Sequence, residues 1–370
     1  MKKMIAIIVI CLAWGFSGCG NDIPHDPNAD AQGHTPATPK TAAANEQVLG
    51  ELPFSDEQDF AECRRGLMAS DPDLCVKNAK GKIIWNQPAY GFIQGKAPAS
   101  VNPSLWRQAK LNNIHGLFKV TEGIYQLRGF CLANLTLIDG KSGWIVVDPL
   151  MTRETASRAM DFARKHLKNR PISAVIFTHS HIDHFGGVLG LLSVEAAKKG
   201  DIPIIAPKGF MEAATSENII AGIAMGRRAG YMYGQPLSPS VRGHVDNGLG
   251  KSTPFGSFGL MTPTRLVDRT PQKMVIDGVR FIFQYAPESE APAELTFYLP
   301  EKKAFCGAEL VSHNMHNLYT LRGAKVRDAL KWSGYIDQAI RLFKDAKIYF
   351  GCHHWPIWGN PRIMDFLKRQ

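Results

Sequence analysis

The sequence predicts an α+β fold of two sheets sandwiched between helices, with a small N-terminal extension ahead of it. Three observations carry that expectation. From residue 119 onward, short apolar strands come first and then alternate with amphipathic helices. One run, Ile172 to Thr178, is almost continuously apolar, as a strand buried on both faces must be. The 370 residues, 45% hydrophobic and 21% charged, supply a sizeable core and exclude a disordered, fibrous or polytopic membrane chain. A net charge of +10 suits an anionic substrate, an anionic surface or nucleic acid and does not choose among them.

Lys2 and Lys3 precede an apolar run from Met4 to Phe16, too short to span a membrane as a mature helix. Residues 1–18 therefore read as a secretory signal peptide. The segment ends in Phe16-Ser17-Gly18-Cys19, which resembles a bacterial lipobox. That resemblance implies cleavage before Cys19, lipidation of its thiol, and an exported, periplasmic or surface lipoprotein. Gly20 in place of Asp favours outer-membrane anchoring. An ordinary signal peptide with an incidental cysteine is the alternative. Residues 19–55, rich in Ala, Pro, Asn, Asp and Thr, are expected as a lipid-anchored flexible tether. Residues 56–118 are expected as the extension, with Trp85, Tyr90, Phe92, Trp106 and Phe118 as its core anchors. Cys11 and Cys19 belong to the leader. Of the remaining five cysteines, Cys63 and Cys75 are close enough in sequence for one disulfide, and no CxxC occurs.

The domain over 119–370 opens with strands at Gly123–Leu127, Leu135–Ile138 and Trp144–Asp148, the first hairpin turning at Asp139-Gly140. Glu154 to Leu167 has helical periodicity. A second helix is expected from Phe185 to Lys199, with Lys198 and Lys199 in its last turn and Gly200 as its stop. Ile202–Ala206 is a further strand. Residues 229–264 carry seven Gly and four Pro and read as a long functional loop. Its Tyr231, Met232, Tyr233, Leu249, Phe255, Phe258 and Leu260 are expected to cover an apolar ligand. Strands resume at Lys273–Ile276 and Val279–Ala286 around the turn Asp277-Gly278. They continue at Leu295–Leu299, Ala304–Glu309 and Ala346–Cys352, with a helix over 325–344.

The strongest local signal is Thr178-His179-Ser180-His181-Ile182-Asp183-His184. Three His and one Asp fall between a buried strand and a helix, so one turn aims several side chains at one point. Imidazole and carboxylate suit zinc. The HxHxDH spacing serves two metals, the first two His on one and the Asp and last His on the other. Gly186-Gly187 lets the backbone pass close beneath the ions. Glu288, Glu290, Glu294, Glu309, His353 and His354 are downstream candidates among which composition does not choose.

The HxHxDH motif resembles that of the metallo-β-lactamase superfamily, and the resemblance implies an αββα sandwich. It also places Asp148 as a buried support of the metal site. A closer resemblance, to zinc-dependent alkyl sulfatases of the dodecyl sulfate hydrolase type, rests on several segments. These are Asn102–Ala109, Asn113–Phe118, Glu290-Ala-Pro-Ala-Glu294, Asn317–Asp328 with Lys331-Trp332-Ser333, and His353-His-Trp-Pro356. It covers roughly residues 80–370. It implies two Zn²⁺ ions, one on His179, His181 and Glu290, the other on Asp183, His184 and His354, with Glu309 bridging. It further implies that Asn317, Thr320, Arg322 and Arg327 surround the sulfate. His316 is the candidate general acid, with His313 second.

The chemistry fits this constellation. Two guanidiniums with amide and hydroxyl donors hold a sulfate monoester in a fixed orientation. Two zinc ions lower the pKa of bound water, so the expected reaction is hydrolysis of an alkyl sulfate to alcohol and inorganic sulfate by a metal-bound hydroxide. Attack at sulfur or at carbon stays open, and ¹⁸O-water labelling separates the two. The larger family members continue beyond the HHWP motif with a dimerisation region and a sterol-carrier-like domain. Here the sequence stops at Gln370, which leaves oligomerisation open and admits a minimal enzyme, a truncated one, or one whose partner domains lie on another chain. The rivals are another dinuclear hydrolase of the superfamily (phosphodiesterase, lactonase or β-lactamase) and a truncated, non-catalytic lipoprotein that binds alkyl sulfates. No nucleic-acid-binding motif appears and the basic excess is scattered, so no nucleic acid partner is expected.

Overall fold

The computed structural model describes residues 26–195 and 200–370. The expected signal peptide, the lipidation residue Cys19, and Lys198 and Lys199 lie outside these residues. Among the described residues, no helix is long and apolar enough to cross a membrane. The chain divides into two compact units, Met1–Pro36 and Ala37–Gln370. The described part of the first is a set of turns in which Asp30 Oδ1 accepts from the backbone of Gln32 and His34.

In the second unit the strands are β1 (Leu67–Ala69), β2 (Cys75–Lys77), β3 (Ile83–Asn86), β4 (Gly116–Thr121), β5 (Ile124–Arg128), β6 (Leu135–Asp139), β7 (Trp144–Val147) and β8 (Ile172–Ile176). They continue as β9 (Ile204–Pro207), β10 (Arg265–Val267), β11 (Gln272–Ile276), β12 (Val279–Tyr285), β13 (Leu295–Leu299), β14 (Ala304–Cys306), β15 (Ile348–Phe350) and β16 (Ile357–Trp358). Eight of them form one sheet, in the order β1-β4-β5-β6-β7-β8-β9-β10, and six form another, β11 to β16 in sequence. The first is antiparallel through β7 and parallel from β7 to β10. In the second, only β14 and β15 are parallel.

Alternation along the strands builds three apolar layers. Ile124, Ile138, Ile145, Val147 and Ile176 face Phe281, Phe283, Leu295 and Phe297 between the sheets. Leu127, Leu135, Leu137, Val146 and Val175 face outward onto Ala159, Met160, Phe162 and Ala163 of the helix Arg153–His166. Tyr298, Phe305 and Tyr349 pack on the helices Ala329–Leu342 and Asn360–Lys368 through Trp332, Ile336, Ala339, Ile363 and Leu367. This is the αββα sandwich expected. The turn Asp277-Gly278 joins β11 to β12, with Gly278 at φ 80°. The Asp277 carboxylate also accepts from the backbone of Ser142 and Gly143, tying the β6–β7 hairpin to the second sheet.

Several expectations are corrected. Residues 39–51, placed in the tether, form a helix capped by Thr38, and Asn45 donates to the Ala99 carbonyl. The expected helix Phe185–Lys199 is interrupted. Ile182–His184 and Val188–Gly190 are single 3₁₀ turns. Gly186, Gly187 and Gly190 lie against the carbonyls of Met151, Pro149 and Arg153, where a Cβ would come to 2.2 Å. The close backbone approach that these glycines permit is thus to the segment after β7. The loop expected over 229–264 begins later, because Gly222–Met232 is helical. Cys63 and Cys75 are not bonded: both thiols are free, and Cys63 Sγ donates to the Leu111 carbonyl at 3.4 Å. Of the expected anchors, Trp85, Tyr90, Trp106 and Phe118 are buried and Phe92 is half-buried.

Candidate metal centre and anion pocket

The ends of β7, β8, β14 and β15 and the segment before β13 meet at one edge of the sandwich. Asp148, just after β7, adopts φ 54°. Its Oδ1 accepts from Thr178 N at 2.8 Å, and its Oδ2 accepts from Thr178 Oγ1 at 2.7 Å and lies 2.9 Å from His184 Nδ1. That contact leaves His184 Nε2 to face the cluster. The two sheets are stitched beside it by Leu295 N donating to the Thr178 carbonyl and Ser180 N to that of Ala293.

Besides Asp148, His184 and Cys352, which gather behind the His184 ring, two groups of donors face one another. His179, His181, Glu290 and Glu309 are all buried, with ligating atoms within 4.8 Å of one another, and the half-buried Asp183 forms the other group with buried His184 and His353. Glu309 Oε2 stands between them, 3.2 Å from His179 Nε2, 3.3 Å from His184 Nε2 and 3.2 Å from His353 Nε2. His179 Nε2, His184 Nε2 and Glu290 Oε2 are buried without a hydrogen-bond partner. Buried polar atoms orphaned in this way, on imidazole and carboxylate, fit a divalent cation of the zinc type. Five of the seven non-glycine residues at positive φ among the described residues flank this cluster: Asp148, Leu150, Glu288, Ala308 and His354. Such concentration of unfavourable backbone is characteristic of functional sites.

His354, expected as a metal ligand, is not in the cluster. Its Nε2 lies 2.9 Å from the Gly248 carbonyl, and His353 takes the place facing Asp183 and Glu309. Beyond β15 the chain bends, with His354 at φ 59°, and the bend turns only one of the two side chains inward. His313 is likewise removed as a candidate acid. Its Nε2 lies 2.8 Å from the Trp355 carbonyl, and its ring packs against Trp355 and Phe366. Burial pushes its pKa down to about 4.

Charges within the cluster hold one another. Burial alone would lower His184, but Asp183 and Asp148 outweigh it and raise its pKa well above the free value. Burial alone would raise Glu309, yet His353 and the imidazoles of His179, His184 and His316 beside it hold it well below the usual carboxylate range. Glu294 behaves otherwise: burial pushes it up to about 7. Its Oε2 accepts from Ser289 Oγ, Glu290 N and Ala291 N, and its Oε1 accepts from Glu309 N. Glu294, one of the open ligand candidates, therefore fixes the two backbone segments that present Glu290 and Glu309.

The cluster forms the floor of a cavity of about 450 Å³. Asn317, Arg322 and Arg327 line it, as do His316, His181, Asp183, Glu290 and Glu309. Arg327 is buried and donates from Nε to the Glu290 carbonyl at 2.5 Å, from Nη1 to Asn317 Oδ1 at 2.6 Å, and from Nη2 to the Glu290 carboxylate. Arg322 is less engaged, with Nη1 3.5 Å from Thr320 Oγ1 and Nη2 3.7 Å from Glu217 Oε2. Thr320, expected around the sulfate, is instead buried behind Arg322, its hydroxyl donating to Met232 Sδ. His316 Nε2 lies 3.2 Å from both Glu309 Oε1 and Glu290 Oε1. Burial would lower its pKa, but Glu309 and Glu290 raise it. Cations bound by the same carboxylates compete for that charge.

Met232, Tyr233, Leu249, Phe255 and Phe258 of the expected covering loop line the cavity. Tyr231 does not: it is 87% exposed, and Leu260 packs into the outer core. Glu217, beside both Arg322 and His181, was not foreseen. It sits in an irregular turn, Ser216–Ile220, and no sequence pattern marks it.

Fold and donor cluster together define a metallo-β-lactamase-type centre, and the metallo-beta-lactamase superfamily model matches residues 128–353. The chain belongs to that superfamily. Within it, the chain is 48% identical over 338 residues to a linear primary-alkylsulfatase of Pseudomonas sp, covering 90% of this chain and 50% of that protein. It is 46% identical over 334 residues to the alkyl/aryl-sulfatase BDS1 of Saccharomyces cerevisiae, covering 90% and 52%. The solved structure of the stereoselective inverting sec-alkylsulfatase Pisa1 from Pseudomonas sp. matches with a TM-score of 0.89 at 42% identity, covering 92% of this chain and 54% of that one. The chain spans about half the length of the curated relatives it matches.

Proposed function

We propose that this chain hydrolyses alkyl sulfate esters to alcohol and inorganic sulfate at a dinuclear zinc site. The carrying observation is the meeting in one cavity of the buried His/carboxylate cluster, the Arg322–Asn317 corner and an apolar wall. His179, His181 and Glu290 would hold one cation, and Asp183, His184 and His353 the other, with Glu309 between them. When bound, the cations supply Lewis acidity and a water of lowered pKa as nucleophile. Arg322 and Asn317 hold the sulfate oxygens through charge-assisted and amide hydrogen bonds. Arg327 spends its N–H groups on Glu290 and Asn317 and so orients a metal ligand and a sulfate donor together. His316 stands at the edge of the same carboxylates, in position to give a proton to the departing alkoxide oxygen. Met232, Leu249, Phe255 and Phe258 exclude water and receive the alkyl chain.

A guanidinium with an amide suits a tetrahedral monoanion better than a lactone or a lactam. The zinc-loaded protein is therefore expected to release sulfate from dodecyl sulfate while leaving a phosphodiester, a lactone and a β-lactam essentially untouched. Faster turnover of any of those three would displace the reading. We also propose anchoring through a lipidated Cys19. Radiolabelled palmitate should enter the protein in a bacterial host and fail to enter Cys19→Ala, and equal labelling of both would refute it.

A further inference from the structure

The turn Ser216–Ile220 inverts the usual order of burial. Its Ile219 and Ile220 are 66% and 82% exposed, while the Glu217 side chain is 11% exposed and lines the cavity. A carboxylate is seldom covered while two neighbouring isoleucines are left in water. The segment is a single π-helical turn between the helices Phe210–Thr215 and Gly222–Met232. Such turns recur at functional sites. Phe210 and Ala214 behind it are buried, and Asn218 Nδ2 donates to the Ala214 carbonyl at 2.9 Å, so the turn is fixed in place.

Glu217 meets few donors there. Its Oε1 is buried without a hydrogen-bond partner. Its Oε2 lies 3.7 Å from Arg322 Nη2 and 3.7 Å from His181 Nε2, beyond hydrogen-bond reach of either. Arg327 is already paired with the Glu290 carboxylate, so Arg322 is the guanidinium left to meet an anionic head group. Glu217 is thus a second negative charge beside the cation that receives the ligand's own.

We infer that Glu217 biases the anion pocket toward monoanionic head groups, such as a sulfate ester, and against dianionic ones of the same shape, such as a phosphate monoester. The inference rests on the sulfatase reading of the cavity. A fixed carboxylate beside Arg322 repels any anion held there, and the repulsion grows in proportion to the ligand's charge. A dianion therefore loses about twice the binding free energy that a monoanion loses. Shape and hydrogen-bond donors do not separate two tetrahedral head groups, and a repulsive element that acts on charge does.

The test measures binding of octanesulfonate and octylphosphonate to the zinc-loaded protein by calorimetry. In alkaline buffer the first is a monoanion and the second a dianion, and neither C–S nor C–P bond is an ester that the protein turns over. Glu217→Gln keeps the shape and removes the charge. It should bind the sulfonate more tightly by some factor and the phosphonate by about the square of that factor, so the preference for sulfonate over phosphonate falls at least ~10-fold. Glu217→Asp retains the charge and should keep the wild-type preference. An unchanged preference in Glu217→Gln, or an equal fall in Glu217→Asp, would overturn the inference. So would weaker binding of both ligands to Glu217→Gln, which would make Glu217 a support for Arg322. Loss of zinc from that variant, read by mass spectrometry, would overturn it too and assign the carboxylate to His181. Absence of octanesulfonate binding to the wild type would overturn the sulfatase reading of the cavity instead.

Discussion

Two adjacent histidines at the end of β15 divide two tasks between them. His353 faces Glu309 and Asp183, while His354 holds the Gly248 carbonyl. His353→Ala is therefore expected to lose one bound zinc and nearly all activity, and His354→Ala to keep both metals, with zinc measured by mass spectrometry on the dialysed protein. Metal loss in His354→Ala alone would restore the assignment read from the sequence. The residues alone left six downstream candidates open and the family resemblance pointed to His354; the choice within the pair depends on a backbone twist, φ 59° at His354, that the sequence does not display. His313 makes a second test. Its folded pKa lies at about 4, below the free value of 6.5, so the unfolded chain binds the proton more readily. The stability it contributes is fully present above about pH 6.5 and is lost as pH falls through about 4. His313→Asn should flatten the decline of thermal midpoint over that window, and an unaltered slope would contradict the buried neutral state.

Among the elements, the parallel pair β7–β8 matters most to the site, since the pairing brings Asp148 beside Thr178 and His184. Asp148→Ala removes every one of those supports, and metal affinity should drop about 10–100-fold as measured by competition with a chelator. An unchanged affinity would show that Thr178 and His184 are held without it. Strand identity was legible here because Ile172 to Ile176 is apolar but for Ser173 and the HxHxDH turn follows closely. The helix expected after that turn was not, since an apolar run with good helix formers conceals the need of Gly186, Gly187 and Gly190 to lie on the backbone of residues 149–153. Contact between segments distant in sequence overrode local propensity there. The same limit explains Glu217, which reaches Arg322 from a turn with no distinguishing pattern.

Across the whole compact unit, residues before the first HxHxDH histidine and residues after it are joined by a buried polar core. Lys251 Nζ lies 3.1 Å from Asp246 Oδ2, donates to the Ala109 carbonyl, and sits 5.4 Å from the Tyr90 ring centroid. Asn112 donates to both Asp246 Oδ1 and the Gly248 carbonyl. Asp246→Ala leaves the lysine buried without its partner and should cost about 3–5 kcal/mol in chemical unfolding; a cost below about 1 kcal/mol would show that the pair is not structural. Tyr90 and Trp106 were legible as anchors from their size and apolarity, whereas a lysine 1% exposed was not, because its burial depends on a carboxylate reached only through the fold. The most direct single measurement is sulfate release from dodecyl sulfate by the zinc-loaded protein, with His179→Ala and Arg322→Ala alongside. Wild type should release sulfate, His179→Ala should release essentially none, and Arg322→Ala should fall by at least ~100-fold, the loss of a buried charge-assisted contact to the reacting group. Wild-type rates in both variants, or no release by the wild type, would contradict the assignment of this cavity as a sulfatase site.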